Sequence, residues 1–149
     1  MEAMRIKPYR RAVQYYETDM MGIVHHANYI RWMEEARIDF LAQLGFPYAR
    51  MEAEGVLSPV RSVSCQYKKP CTFGDEIEID ASVAAFNGVV LSIDYRMRRG
   101  GEVICEGRSE HVFVRKGGGI VRVKRDMPDF CAAIEGLLGE EQGLSRDGR

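Results

Sequence analysis

The sequence predicts an α+β domain in which an antiparallel sheet of five to six strands packs around one long helix. Three observations carry this expectation. Apolar residues recur at helical spacing in one stretch only, residues 29–44. Downstream, several stretches alternate apolar and polar residues with a period of two. Glycine-containing turn signals, foremost Asn87-Gly88 and Gly100-Gly101, separate those stretches.

Residues 9–16, YRRAVQYY, read as a first strand because β-forming residues surround polar ones. A break follows at Thr18 to Gly22. In the helix, Tyr29, Trp32, Met33, Ala36, Phe40, Leu41 and Leu44 form one face, and Arg31, Glu34, Glu35, Arg37, Asp39 and Gln43 form the other. Asn28 is the candidate N-cap, and Gly45 before Phe46-Pro47 is the stop. A loop or short helical stretch crosses residues 45–55. Val63, Cys65 and Tyr67 then alternate as a strand. A turn at Lys69-Pro70 and Phe73-Gly74-Asp75 leads to a second alternating run through Ile77, Ile79, Ala81, Val83 and Ala85. Asn87-Gly88 joins this to Val89, Leu91, Ile93, Tyr95 and Met97, and Gly100-Gly101 turns the chain into 103–114. The expected result is a meander of long antiparallel strands. Gly117 to Gly119 is read as a turn, Ile120 to Val123 as a short edge strand, and Pro128 to Leu138 as a short terminal helix. Residues 139–149 lack an apolar period and are expected to be mobile.

The length of 149 residues suits a single domain over 1–149, with its core at about 9–125. Twenty-one basic residues against 22 acidic ones give a net charge of −1, without the basic footprint of a nucleic-acid binder or of a protein on anionic membranes. No apolar segment has the length of an integral membrane span, and no apolar stretch follows the charged N-terminus as in a leader, so a cytoplasmic protein is expected. Cys65, Cys71, Cys105 and Cys131 contain no Cys-x-x-Cys pair and read as reduced, buried thiols. The exposed edges of a small sheet point to self-association.

Reactive residues concentrate between the first strand and the helix, from Tyr15 to Tyr29. Asp19 carries a carboxylate, and it precedes a helix whose free N–H groups and dipole favour developing negative charge. A carboxylate aimed at a carbonyl held on such N–H groups can perform acyl transfer. The same Thr-Asp-x-x-Gly pattern also describes an Asx turn, with Gly22 at positive φ, and spacing alone leaves both readings open. His25 and His26 have no cysteine or acid at metal-ligand spacing. Tyr29, Trp32 and Met33 read as core with some pocket lining. Glu34 and Glu35 offer a candidate base, set against surface pairing with Arg31 and Arg37. Phosphate-loop, dinucleotide, nucleophile-elbow and His-Glu-x-x-His motifs do not occur.

The segment Tyr15-x-Glu17-Thr18-Asp19-x-x-Gly22-x-Val24-x-His26-x-x-Tyr29 resembles the signature of the 4-hydroxybenzoyl-CoA thioesterase-like hotdog family. Glu35-Ala36-Arg37 and Tyr67-x-x-Pro70-x-x-Phe73-Gly74-Asp75 extend the similarity over roughly residues 10 to 115. His26 sides with the Tol-Pal-associated type rather than the hydroxybenzoyl-specific type. The resemblance implies a sheet wrapped on a central helix, dimers joined edge to edge with active sites at their interface, and a homotetramer favoured over a dimer. It implies hydrolysis of an acyl-CoA thioester. Asp19 would be the nucleophile or general base and the His26 backbone N–H the oxyanion donor, with Gly22 and Tyr29 completing the catalytic set. Tyr15, Val24 and Trp32 would contact substrate, and Arg96, Arg98, Arg99 and Lys116 are candidates for the CoA phosphates. No metal or organic cofactor is implied, because coenzyme A is part of the substrate. Two other functions are set beside this one: a hydroxyacyl-CoA dehydratase or hydratase, and a non-catalytic acyl-CoA-binding module.

Overall fold

The computed structural model describes residues 5–147, with side chains described through Leu138. The elements are β1 (Tyr9–Ala12), a 3₁₀ turn (Tyr15–Glu17), α1 (Ala27–Gln43), α2 (Tyr48–Ala53), β2 (Val56–Leu57), β3 (Val60–Tyr67), β4 (Glu76–Phe86), β5 (Leu91–Arg99), β6 (Glu102–His111), β7 (Val114–Arg115), α3 (Val123–Asp126) and α4 (Pro128–Asp147). Five strands form an antiparallel sheet in the order β1-β4-β5-β6-β3, and β2 pairs with β7 in a separate two-stranded piece. The α1 helix packs on one face of the five-stranded sheet against β1, β3, β4 and β6, which is the expected α+β hotdog arrangement.

Alternation places the core. Ile77, Ile79 and Val83 of β4 and Leu91, Ile93, Tyr95 and Met97 of β5 are buried, beneath Trp32, Met33, Ala36, Phe40 and Leu41 of α1. Gly107 of β6 permits the close approach of α1, since a Cβ there would lie 2.9 Å from Ser64 O and 3.0 Å from Met33 Sδ.

Several boundaries differ from the sequence reading. The first strand ends at Ala12, because the chain then tightens into the 3₁₀ turn. Asn28 lies inside α1, and Arg37 belongs to the buried face rather than the solvent face. The strand after α2 does not pair with the next strand in sequence. The 68–75 connection carries the chain across the sheet, so β3 borders β6 and only β4-β5-β6 form a meander. Val89 sits in the four-residue turn 87–90, where the Asn87 carboxamide oxygen accepts the N–H groups of Val89 and Val90. Of the expected strand 120–123, only a bridge from Ile120 to Val114 forms, and Val123 begins α3. The terminal helix runs on to Asp147, past the predicted Leu138; residues 148 and 149 lie outside the described residues.

Candidate active site

The link between β1 and α1 is ordered by its own hydrogen bonds. Thr18 bridges Val24, Asp19 N–H donates to Ile23 O at 2.9 Å, and Gly22 N–H donates to Asp19 O at 3.0 Å. Closing so short a hairpin puts Gly22 at φ +80°, a conformation open to glycine. Asp19 Oδ1 accepts the Met21 N–H at 2.8 Å, so the Asx turn is real. It occupies one oxygen only: Oδ2 has no hydrogen-bond partner among the described residues. The turn and the chemistry are therefore compatible, with one carboxylate oxygen anchoring the side chain and the other left over.

At the start of α1, His25 rather than Asn28 supplies the side-chain cap, its Nδ1 accepting the Ala27 N–H at 3.2 Å. Asn28 is turned inward, its side chain donating to Glu17 O at 2.8 Å, and His25 N–H reaches the same carbonyl at 2.9 Å. Asn28 N–H and Tyr29 N–H return to His25 O and His26 O. The His26 N–H is the exception in this turn, with no partner among the described residues. A free N–H at the positive end of a 17-residue helix is a donor suited to an oxyanion. The His25 and His26 rings do not diverge as expected of neighbours but stack at 4.2 Å. Among the described residues, no group of three or more His, Cys, Asp or Glu is placed to hold a metal ion.

Asp19 and His26 line one cavity of about 330 Å³, together with Val24, Tyr29, Tyr67 and Lys68. Tyr29 is buried and shares a hydrogen bond with Cys71 Sγ at 3.3 Å; burial, with that contact, pushes its phenol well above the ordinary range, so it stays protonated. Tyr67 donates from its hydroxyl to His26 O at 3.2 Å and packs edge-on against Tyr29 at 5.1 Å. The walls are thus largely aromatic and apolar, with polar groups at the aspartate and the helix start, and Lys68 and Lys69 on one side.

Other candidates are placed elsewhere. Tyr15 is 76 % exposed and leans on Phe73. Trp32 is fully buried, with its Nε1 donating to Glu17 at 2.7 Å and the Arg11 guanidinium 4.7 Å from its ring. Arg98 is held by Asp80 and Glu78, and Arg99 by Asp75, Glu102 and the Pro70 carbonyl. Arg96 lies in a depression of about 420 Å³ among Asp80, Asp94, Glu106 and Arg108, away from the aspartate. Lys116 follows β7, its N–H on Gly55 O. The basic residues that do reach the Asp19 cavity are Lys68 and Lys69, which sequence reading passed over because two lysines beside a proline look like any exposed connection. Glu17 was missed as well: its partners lie 6 and 15 residues away and cannot be read from spacing.

A model of the thioesterase-like superfamily matches residues 13–134. YneP of Bacillus subtilis (strain 168), a candidate acyl-CoA thioesterase, is 38 % identical over 125 residues, covering 83 % of this chain and 91 % of YneP. YbgC of Escherichia coli O157:H7, an acyl-CoA thioester hydrolase, is 32 % identical over 85 residues, 57 % of this chain and 63 % of YbgC. The crystal structure of a DHNA-CoA thioesterase from Staphylococcus aureus superposes with a TM-score of 0.85 at 29 % identity, covering 96 % of this chain and 95 % of that one.

Proposed function

The chain belongs to the thioesterase-like superfamily, and from that premise we propose that it hydrolyses an acyl-CoA thioester to the free acid and coenzyme A in the Asp19 cavity. The observation that carries this reading is the meeting, in one cavity, of a carboxylate oxygen and a helix-start N–H that have no partner among the described residues. The thioester carbonyl oxygen is held by the His26 N–H, where the dipole of α1 favours the negative charge that develops as the carbonyl is attacked. Asp19 Oδ2 attacks the carbonyl directly or takes a proton from the attacking water, while the Met21 N–H fixes the other oxygen. Gly22 closes the loop that aims the carboxylate, and the protonated Tyr29 completes the wall. The coenzyme A phosphates meet Lys68 and Lys69, whose present partners Glu106 and Glu102 are exposed, weak competitors. No metal or organic cofactor takes part.

The active species is a homo-oligomer, and a tetramer is favoured over a dimer on the family resemblance alone. The support is the free edge of β3, which leaves Val60, Val63 and Tyr67 54 %, 39 % and 48 % exposed and its outer hydrogen-bonding groups unpaired within the sheet. No helix among the described residues is long and apolar enough to cross a membrane, and we place the protein in the cytoplasm. The dehydratase reading finds less support. Glu34 is exposed, Glu35 is bound to Tyr9 and Arg11, and neither lines the cavity.

A panel of short-, medium- and long-chain acyl-CoA and aryl-CoA esters, followed by thiol release, tests activity and preference together. Asp19→Asn keeps the turn-forming oxygen and removes both base and nucleophile. It should fold and bind the ester, yet lose about 10² to 10⁴-fold in kcat. A kcat within about twofold of the parent would reduce Asp19 to a turn former.

A further inference from the structure

We propose that Glu17 is a positioning residue that sets Asp19 against the start of α1; this rests on the reading of Asp19 as the reacting carboxylate. Glu17 is buried, at 3 % exposure, and both its side chain and its carbonyl are engaged. Its Oε1 accepts Arg11 Nη1 at 2.7 Å and the Gln14 N–H at 2.9 Å, and its Oε2 accepts Trp32 Nε1 at 2.7 Å. Its carbonyl accepts the Asn28 side chain and the His25 N–H. One residue therefore joins β1, the aspartate loop and two turns of α1. Only Thr18 separates it from Asp19, and Thr18 is extended at φ −91°, ψ 157°, so a shift of Glu17 passes straight into the aspartate. On the other side, His25 leads directly to the His26 N–H. The two groups that must share one carbonyl are thus registered to each other through Glu17.

The carboxylate is necessary for this, not merely a side chain of that size. All three groups facing Glu17 are donors, and a carboxylate is acceptor-only at both oxygens. Glutamine has one acceptor oxygen, so either orientation of its amide sets N–H against N–H, at Trp32 or at Arg11 and Gln14. Stability alone gives a weak reason for such an arrangement, since an apolar replacement of a buried ion pair is often no less stable. Its position two residues from the reacting carboxylate gives a functional one, because a misplacement of about 1 Å can cost about 10²-fold in rate.

The test measures kcat, KM and Tm for the parent, Glu17→Gln, Asp19→Asn and the double variant, on whichever acyl-CoA ester the parent turns over. Glu17→Gln should lose about 10 to 100-fold in kcat with KM changed by less than about threefold, and the double variant should be no slower than Asp19→Asn alone. Should Glu17→Gln fail to fold, Trp32→Phe, which keeps an aromatic ring and removes one donor, takes its place in the same cycle with a smaller kcat loss. A folded variant with lowered Tm and parental kcat overturns the proposal, as do losses that multiply in the double variant. A slow Asp19→Asn beside a parental Glu17→Gln overturns this proposal alone, whereas an Asp19→Asn with parental turnover overturns the Asp19 reading and this one with it.

Discussion

The two ends of α1 both bring unpaired polar groups together, and they do so in opposite settings. At the N-terminal end, the free Asp19 oxygen and the free His26 N–H border an open cavity. Farther along the same helix, Arg37 is buried over a row of polar side chains from the sheet. Tyr95 shares a hydrogen bond with Ser109 at 2.7 Å, and Ser109 with His111 Nε2 at 2.7 Å. Arg37 Nη1, His111 Nδ1 and Ser58 Oγ are buried without a hydrogen-bond partner among the described residues. An unpaired group facing a cavity can be satisfied by a substrate in the transition state, so it contributes to rate. An unpaired group sealed in the core has no such partner and only costs stability. The first end should therefore respond to substitution in kcat, and the second in stability and its pH dependence.

After Asp19→Asn, the largest effect expected separates backbone from side chain at His26. His26→Pro removes the N–H at φ −56°, which proline accepts, at a helix start where no internal hydrogen bond is lost. It should cost about 10² to 10³-fold in kcat, the usual loss for one oxyanion donor, with Tm little changed. His26→Tyr keeps the N–H and should stay within about tenfold of the parent. Equal, large losses in both variants would move the chemistry to the imidazole.

A smaller effect belongs to the sealed end. Burial first, and the charge of Arg37 second, pull His111 down to about 3, below its ordinary 6.5. The unfolded chain thus takes up a proton near 6.5 that the fold refuses until about 3, so stability is complete above 6.5 and falls as pH drops through that window. Between pH 7.5 and 5 the loss should be about 2 kcal/mol in denaturant titrations, and His111→Asn should flatten it. A parental slope in that variant would assign the dependence to other groups.

The smallest effect contrasts most directly with Asp19. Arg37→Met replaces a buried guanidinium, one of whose nitrogens has no partner, with an apolar chain that can fill much of the space. Tm should stay level or rise, by up to about 1 kcal/mol in stability, and kcat should hold within about twofold. A clear drop in Tm would mean that the guanidinium finds a partner in the assembled protein, and the two ends would then be alike.

Much of this was legible in the chain. Tyr29 to Leu44 announced a helix, and the alternation from Ile77 to Met97 announced buried strands, because those periods follow from backbone geometry over a few residues. Asp19 and Gly22, in the loop ahead of the helix, were legible as a turn from spacing and became a candidate site through the resemblance of Tyr15 to Tyr29 to a family signature. The exceptions involve distant partners. Arg37 lies on the apolar arc by spacing, between Met33 and Leu41, and only its charged residue type made it read as solvent-facing. Lys68 and Lys69 gained meaning only when the 68–75 crossover brought them to Asp19.

The sequence by itself determined the long helix, the long strands and their order, and the placing of a carboxylate one short loop ahead of a helix N-terminus, since each depends on neighbours within a turn or a strand. Tertiary structure alone decided that β3 joins β6 instead of β4, that Glu17 bonds to both the β1 side and the helix start, and that Arg96, Arg98 and Arg99 do not line the cavity, Arg99 reaching only the carbonyl of Pro70 at its border. The physical reason is that strand pairing and ion-pair choice are settled by competition among groups tens of residues apart, for edges and charges that exist only once the sheet has closed on α1.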